Sequence, residues 1–100
     1  MATTMTIVRV YLTEADKLLQ PVMRYLHDEV AVRGVTVFRA ISGFGKSGAI
    51  HSAKLLEISL NLPLIVEFFD EPDKVTQILP RLRELVAVED HIIAWQVQAV

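Results

Sequence analysis

Residues 63–86, PLIVEFFDEPDKVTQILPRLRELV, decide the fold. The first part is a short β-rich run entered through Pro63, which predicts a strand over residues 64–69. Pro72 then stands where a helix tolerates proline, at its first position. The apolar residues that follow recur with helical spacing, namely Val75, Ile78, Leu79, Leu82, Leu85 and Val86. The stretch therefore predicts a strand followed directly by an amphipathic helix.

The same periodicities extend to both ends of the chain. Strands are predicted over residues 5–12, 35–42, 64–69 and 91–99, and a first helix over residues 17–33. Pro21 is tolerated only in the first turn, so that helix should begin near residues 18–20, and Gly34 stands where a C-terminal helix glycine belongs. The order βαββαβ predicts a single α+β domain over residues 1–100. We expect a ferredoxin-like sandwich, an antiparallel four-stranded sheet with two helices on one face.

Composition narrows the class of protein. The chain has 100 residues, of which 52% are hydrophobic, above the average for a soluble domain. No apolar run approaches the roughly 18 residues that span a bilayer, so the surplus suggests burial between subunits. The first residues lack the pattern of a signal peptide, and we expect a cytoplasmic protein.

Charge and cysteine content exclude several kinds of site. The net charge is −2 with acidic and basic residues interspersed, which argues against nucleic acid as a partner. The absence of cysteine excludes disulfides, thiolate metal sites and cysteine nucleophiles. No Ser/His/Asp set or carboxylate pair stands out, and we expect no enzymatic activity.

Strand alternation predicts two different sheet faces. Val8, Val10 and Leu12 form an apolar face suited to packing under helices. The other face shows apolar–charged–apolar triplets centred on Arg9, Arg39 and Glu67, at residues 7–11, 37–41 and 65–69. Charges withdrawn from water need partners, so these three residues are predicted to form an ionic group in an oligomer interface. The alternative is a solvated face on which arginine stems cover aliphatic carbons.

The segment GFGKSG at residues 43–48 is a glycine-rich turn that carries a lysine. Successive N–H groups in such a turn can bind an anion such as phosphate. Its G-x-G-x-x-G spacing also occurs in dinucleotide folds, but the sequence that follows is a poor helix start, and a P-loop pattern is absent. A purely structural hairpin turn is the remaining alternative. Lys46 is either a phosphate-facing charge or a solvated loop lysine.

A connection of about 17 residues, 46–62, follows this turn. Loops of such length in compact domains are usually functional or disordered. Its middle is too apolar for a disordered linker, and Ile50, His51 and Leu55 are candidates for contact with a partner protein. His51 lacks nearby companions as a metal ligand.

These residues resemble a known family. The runs TVFRAISGFG (36–45), IHS (50–52) and LP (62–63) resemble the PII-like signalling proteins, in particular their uncharacterised domain-of-unknown-function branch. The resemblance implies a homotrimer whose sheets face the threefold axis and which binds an adenine nucleotide in clefts between subunits. By position it assigns nucleotide contacts to Gly43, Phe44, Gly45, Lys46 and Gly48. It makes residues 46–62 a T-loop, which in relatives contacts a membrane transporter, channel or enzyme.

One departure from the family pattern affects the ligand. PII proteins carry a second glycine-rich loop between the second helix and the fourth strand, whereas residues 86–90 here read VAVED. AMP or ADP is therefore a more suitable effector than ATP. The alternative function is a trimeric scaffold or metal-binding protein, like the divalent-ion-tolerance proteins of the same fold. Such a protein would bind no nucleotide, and the sequence does not identify its metal.

Overall fold

The structure is a computed structural model that describes residues 2–44, 51–52, 62–87 and 91–100. Within these ranges the chain forms six strands and two α-helices. The strands are β1 (Thr3–Thr13), β2 (Gly34–Arg39), β3 (Ser42–Gly43), β4 (His51–Ser52), β5 (Pro63–Asp70) and β6 (Ile92–Ala99). The helices are α1 (Leu19–Arg24), which continues as a π-helical turn at Tyr25–Glu29, and α2 (Pro72–Val86), while a 3₁₀ turn occupies Glu14–Asp16.

The four long strands form one sheet in the order β2-β5-β1-β6. All three neighbouring pairs are antiparallel. This order brings the first and third long strands together at the centre and places the second and fourth at the edges. The predicted ferredoxin-like βαββαβ fold is confirmed.

One face of this sheet is covered by the helices, and we call it the helix face. Val8 and Val10 are fully buried there and Leu12 nearly so, as the alternation in β1 predicts. They pack with the apolar stripes of the helices and with β5 in a single core, which also contains Val22, Leu26, Val66, Phe68, Val75, Ile78 and Leu82. Pro72 begins α2 as expected, at its first turn.

The first helix ends earlier than predicted. Its last turn is π-helical, with the Val30 N–H bonded to the Tyr25 carbonyl at 3.1 Å. Ala31 then takes the left-handed conformation, with φ of 47°, so the chain leaves the helix before Gly34. Gly34 is instead the first residue of β2, where a Cβ would lie 2.7 Å from Cε1 of Phe69. The glycine is needed for close packing across the sheet rather than for helix termination.

The second strand is also shorter than the predicted 35–42. It ends at Arg39, and the Ala40 N–H donates to the Pro63 carbonyl at 2.9 Å. Ser42 and Gly43 then pair with β4 in a separate two-stranded ladder. No helix in the described part of the chain is long and apolar enough to cross a membrane.

Candidate functional site

Three chain segments meet at the end of the sheet where β1 and β2 leave it and β5 enters. We call this place the loop corner and define it by Glu14, Arg39, Gly43, Leu62 and Pro63. The Glu14 N–H donates to the Leu62 carbonyl at 3.3 Å, and the Ala40 N–H donates to the Pro63 carbonyl. Because Gly43 lies on one side of the predicted 46–62 connection and Leu62 at its end, the corner fixes the chain on both sides of that connection.

Gly43 permits a close approach of its backbone to the Pro63 ring at the loop corner. A Cβ at this position would lie 2.9 Å from Cγ of Pro63, a distance that real Cβ atoms essentially never show. Gly43 also pairs with His51, and Ser42 with Ser52, so β3 and β4 bracket residues 44–50. Phe44 follows directly and is 72% exposed. The glycine turn therefore begins at a residue that is paired with β4 and packed against Pro63, and Phe44 exposes its ring.

Most of the predicted ligand and partner contacts lie outside the described residues. These are Gly45, Lys46, Gly48, Ile50 and Leu55. Of His51, only the backbone pairing with Gly43 is described. The assignments to nucleotide and to a partner protein stay predictions.

The sheet face opposite the helices, which we call the open face, is rich in apolar side chains. Arg9 and Glu67 are directly opposite each other in β1 and β5, and the Arg9 Nε donates to Glu67 Oε1 at 2.8 Å. The Arg9 guanidinium also lies over the ring of Trp95, 5.5 Å from its centroid. The hydrogen bond to Glu67 raises the pKa of Arg9 above its ordinary value. Large apolar residues surround this pair and are 40–45% exposed, namely Phe38, Phe69, Ile93 and Trp95.

The predicted grouping of Arg39 with Arg9 and Glu67 is wrong. In the ladder between β2 and β5, Val37 lies opposite Val66 and Arg39 opposite Leu64, so both point to the helix face. Thr36 and Phe38 occupy the open face instead, opposite Glu67 and Ile65. Arg39 forms an ion pair with Glu14 at the loop corner. The register of β2 therefore separates the three charges into two pairs on opposite faces.

Two acidic residues have roles that the sequence pattern missed. Glu14 begins the 3₁₀ turn after β1, and its side chain is only 17% exposed and faces Arg39. Asp70, at the end of β5, has a buried carboxylate that accepts hydrogen bonds from the N–H groups of Glu71 at 2.8 Å and Arg33 at 3.2 Å. The sequence around residue 70 gives no signal for the Arg33 donor, which lies 37 positions earlier in the chain.

The environment of Asp70 favours its charged form. Burial by itself disfavours ionisation, but the hydrogen bond from Glu71, the ammonium of Lys74 at 3.2 Å and the Arg33 N–H outweigh it. The pKa of Asp70 is consequently lowered. The Lys74 ammonium also donates to the Ala31 carbonyl at 3.1 Å, so this cluster joins the end of α1 to the start of α2. This cluster has a structural role, because hydrogen-bond donors of the same chain surround the Asp70 carboxylate.

No group of three or more potential metal ligands comes together among residues 2–44, 62–87 and 91–100.

Comparisons with known proteins place the chain in a family. The family model DUF190, described as "Uncharacterized ACR, COG1993", matches residues 5–99. A UPF0166 protein of Aquifex aeolicus (strain VF5) is 33% identical over 92 residues, which are 84% of this chain and 88% of the relative. A UPF0166 protein of Methanocaldococcus jannaschii is 32% identical over 85 residues, covering 80% and 77% of the two chains.

Solved structures share the fold at lower identity. CPII of Thiomonas intermedia K12, a structure with bound ADP and bicarbonate, superposes with a TM-score of 0.72 at 18% identity, over 99% of this chain and 91% of that one. A putative PII-like signaling protein of Thermus thermophilus gives a TM-score of 0.61 at 19% identity, over 99% and 92% of the two chains. The predicted resemblance to the PII-like fold is confirmed.

Proposed function

The chain belongs to the DUF190 family, and from that premise we propose that it is a non-enzymatic regulator that binds AMP or ADP at the glycine turn. The observation that carries the proposal is the fold shared with CPII over 99% of this chain, since CPII has been solved with ADP, AMP and bicarbonate. The packing of Gly43 against the Pro63 ring supports the same location, because a glycine turn that starts from a packed position can bring successive N–H groups to a phosphate.

The nucleotide site lies between subunits. The glycine turn follows β2 and the connection 87–91 precedes β6, and these strands are the two edges of the sheet. Three strand spacings of about 4.8 Å separate them by roughly 14 Å. In the homotrimer that we propose, the glycine turn of one copy and the 87–91 connection of a neighbouring copy would line the site.

The open face supplies the surface for this assembly. It carries four large apolar residues that are 40–45% exposed around the ion pair of Arg9 and Glu67. Exposed apolar patches with internal charge pairing are typical of interfaces. Light scattering should give three times the monomer mass, and monomer mass at every concentration would contradict the assembly.

The segment 46–62 signals to a partner protein, with a membrane transporter or channel as the candidate class. Ile50, His51 and Leu55 would make the contact. The loop corner supports such a switch, because ligand at Gly43 would act on a connection whose two sides are already fixed.

Ligand-dependent unfolding tests the nucleotide site. Thermal unfolding should be measured with AMP, ADP, ATP and cyclic AMP, beside Lys46→Ala and, as a control from the same loop, Lys54→Ala. A ligand at about 100 times its Kd should add about 2.7 kcal/mol to the apparent stability. We expect a shift with AMP or ADP that is lost only in Lys46→Ala. An absence of any shift would contradict nucleotide binding.

A further inference from the structure

Arg39 stands at the point where the chain leaves the sheet for the glycine turn. It is the last residue of β2 and lies four residues before Gly43, which limits the distance between the two Cα atoms to about 14 Å. Its side chain is 69% exposed, although it is held by the nearly buried carboxylate of Glu14. Arg39 is therefore an exposed cation, held by an ion pair, at the base of the proposed phosphate site. This makes it a candidate for contact with the ligand.

Glu14 holds the guanidinium from a fixed position. Its backbone N–H is bonded to the Leu62 carbonyl, and its side chain is 17% exposed. Its Oε1 is buried and accepts no well-aligned hydrogen bond within the described part of the chain, while Nε of Arg39 lies against it. A carboxylate removed from water needs a compensating charge. The negative charge of Glu14 therefore holds the Arg39 guanidinium at this position.

We propose that Arg39 contacts the phosphate of the bound nucleotide and that Glu14 is its positioning residue, an inference that rests on the proposed function. The planar guanidinium has donors on more than one edge. Glu14 occupies the Nε side, and the two terminal nitrogens form the edge that matches two phosphate oxygens. Fixing one edge pre-orients the other, so less side-chain freedom is lost when the phosphate arrives.

The direction in which the Kd for the nucleotide changes when Glu14 is neutralised tests the role of Glu14. Coulomb repulsion alone would make a carboxylate near the site weaken anion binding, so neutralising Glu14 would tighten it. Positioning has the opposite effect, because an unrestrained Arg39 binds phosphate less well. Glu14→Gln therefore separates the two possibilities by the direction of the change in Kd.

Calorimetric titration with AMP, ADP and adenosine, at fixed ionic strength, is the experiment. The variants are Arg39→Gln, Arg39→Lys and Glu14→Gln. The matched control is Arg81→Gln, since Arg81 forms an exposed ion pair with Glu84 on α2, at 3.0 Å. We expect Arg39→Gln to weaken AMP and ADP binding by roughly 10- to 100-fold, the value of a charge-assisted hydrogen bond, with adenosine unaffected. Arg39→Lys should recover part of the loss, and Glu14→Gln should weaken ADP binding.

Three results would overturn the proposal. They are an Arg39→Gln variant that binds ADP like the Arg81→Gln control, an equal loss for adenosine, and tighter ADP binding by Glu14→Gln. If Arg39→Gln unfolds because Glu14 is left uncompensated, the double variant Arg39→Gln/Glu14→Gln removes that charge and must still show the phosphate-dependent loss. Failure of the unaltered protein to bind AMP or ADP would instead refute the proposed function itself.

Discussion

Phe68 and Phe69 are consecutive in β5, yet they point to the two faces of the sheet and meet opposite surroundings. Phe68 on the helix face is fully buried, whereas Phe69 on the open face is 40% exposed. The helix face is completed within one chain, because two amphipathic helices cover it. The open face carries side chains of the same type but no covering layer among the described elements.

The charges on the two faces differ in the same way. Asp70, near the helix face, is enclosed by donors from its own chain. Arg9 and Glu67 on the open face are 36% and 25% exposed and satisfy each other, with the Trp95 ring beside them. This fold therefore buries its apolar side chains on the helix face and leaves large apolar side chains exposed on the open face.

The largest expected effect comes from truncating the two phenylalanines separately. Phe68→Ala should lower the free energy of unfolding by about 3–5 kcal/mol, because it removes a fully buried ring from the core. Phe69→Ala should cost less, and its cost should depend on protein concentration, since in the proposed homotrimer Phe69 would act through assembly. Denaturant unfolding at two protein concentrations measures both. Equal, concentration-independent losses would contradict the difference between the faces.

Gly34→Ala tests the packing of the open face at the β2 edge. The new Cβ would lie 2.7 Å from the Phe69 ring, and we expect a loss of about 1–3 kcal/mol from overpacking. In a Phe69→Ala background the obstruction is gone, so the same substitution should cost clearly less. A double-mutant cycle on denaturant midpoints measures this coupling. Additive effects would show that Gly34 is required for another reason.

Gly34 and Arg39 also show what the sequence could and could not predict. The fold followed from local signals, since Val8, Val10 and Leu12 alternate cleanly and α2 has its proline at the first turn. In β2, however, apolar residues occupy both alternating sets, with Val35 and Val37 on one face and Phe38 on the other. A shift of one residue reverses every side chain, and only pairing with β5 decides which set faces the helices.

The other wrong predictions also arise from contacts between residues that are far apart in the sequence. A glycine after a helical pattern favours helix termination, but the contact that requires Gly34 is with Phe69, 35 positions later in the chain. Glu14 meets Arg39 because β1 and β2 both run antiparallel to β5 and therefore end on the same side of the sheet. Of the candidate site, the strand alternation predicted the Arg9–Glu67 pair, and the ligand contacts of the glycine turn stay a prediction. It could not place Arg39 at the loop corner, because no local pattern encodes the order of strands.

The last comparison concerns the carboxylates of the two faces. Asp70→Asn should cost about 1–3 kcal/mol near pH 7, because it weakens hydrogen bonds to a buried acceptor. Glu67→Gln should change monomer stability less, since its pair is partly exposed.

The pKa of Asp70 is lowered on folding, so the stability that its charge contributes is present above the ordinary Asp pKa of about 3.9. That stability is lost as the pH falls below this value. Unfolding measured near pH 7 and near pH 3 should therefore show the gap between the unaltered protein and Asp70→Asn narrowing in acid. A gap that stays constant over this range would mean that the Asp70 charge does not stabilise the helix face.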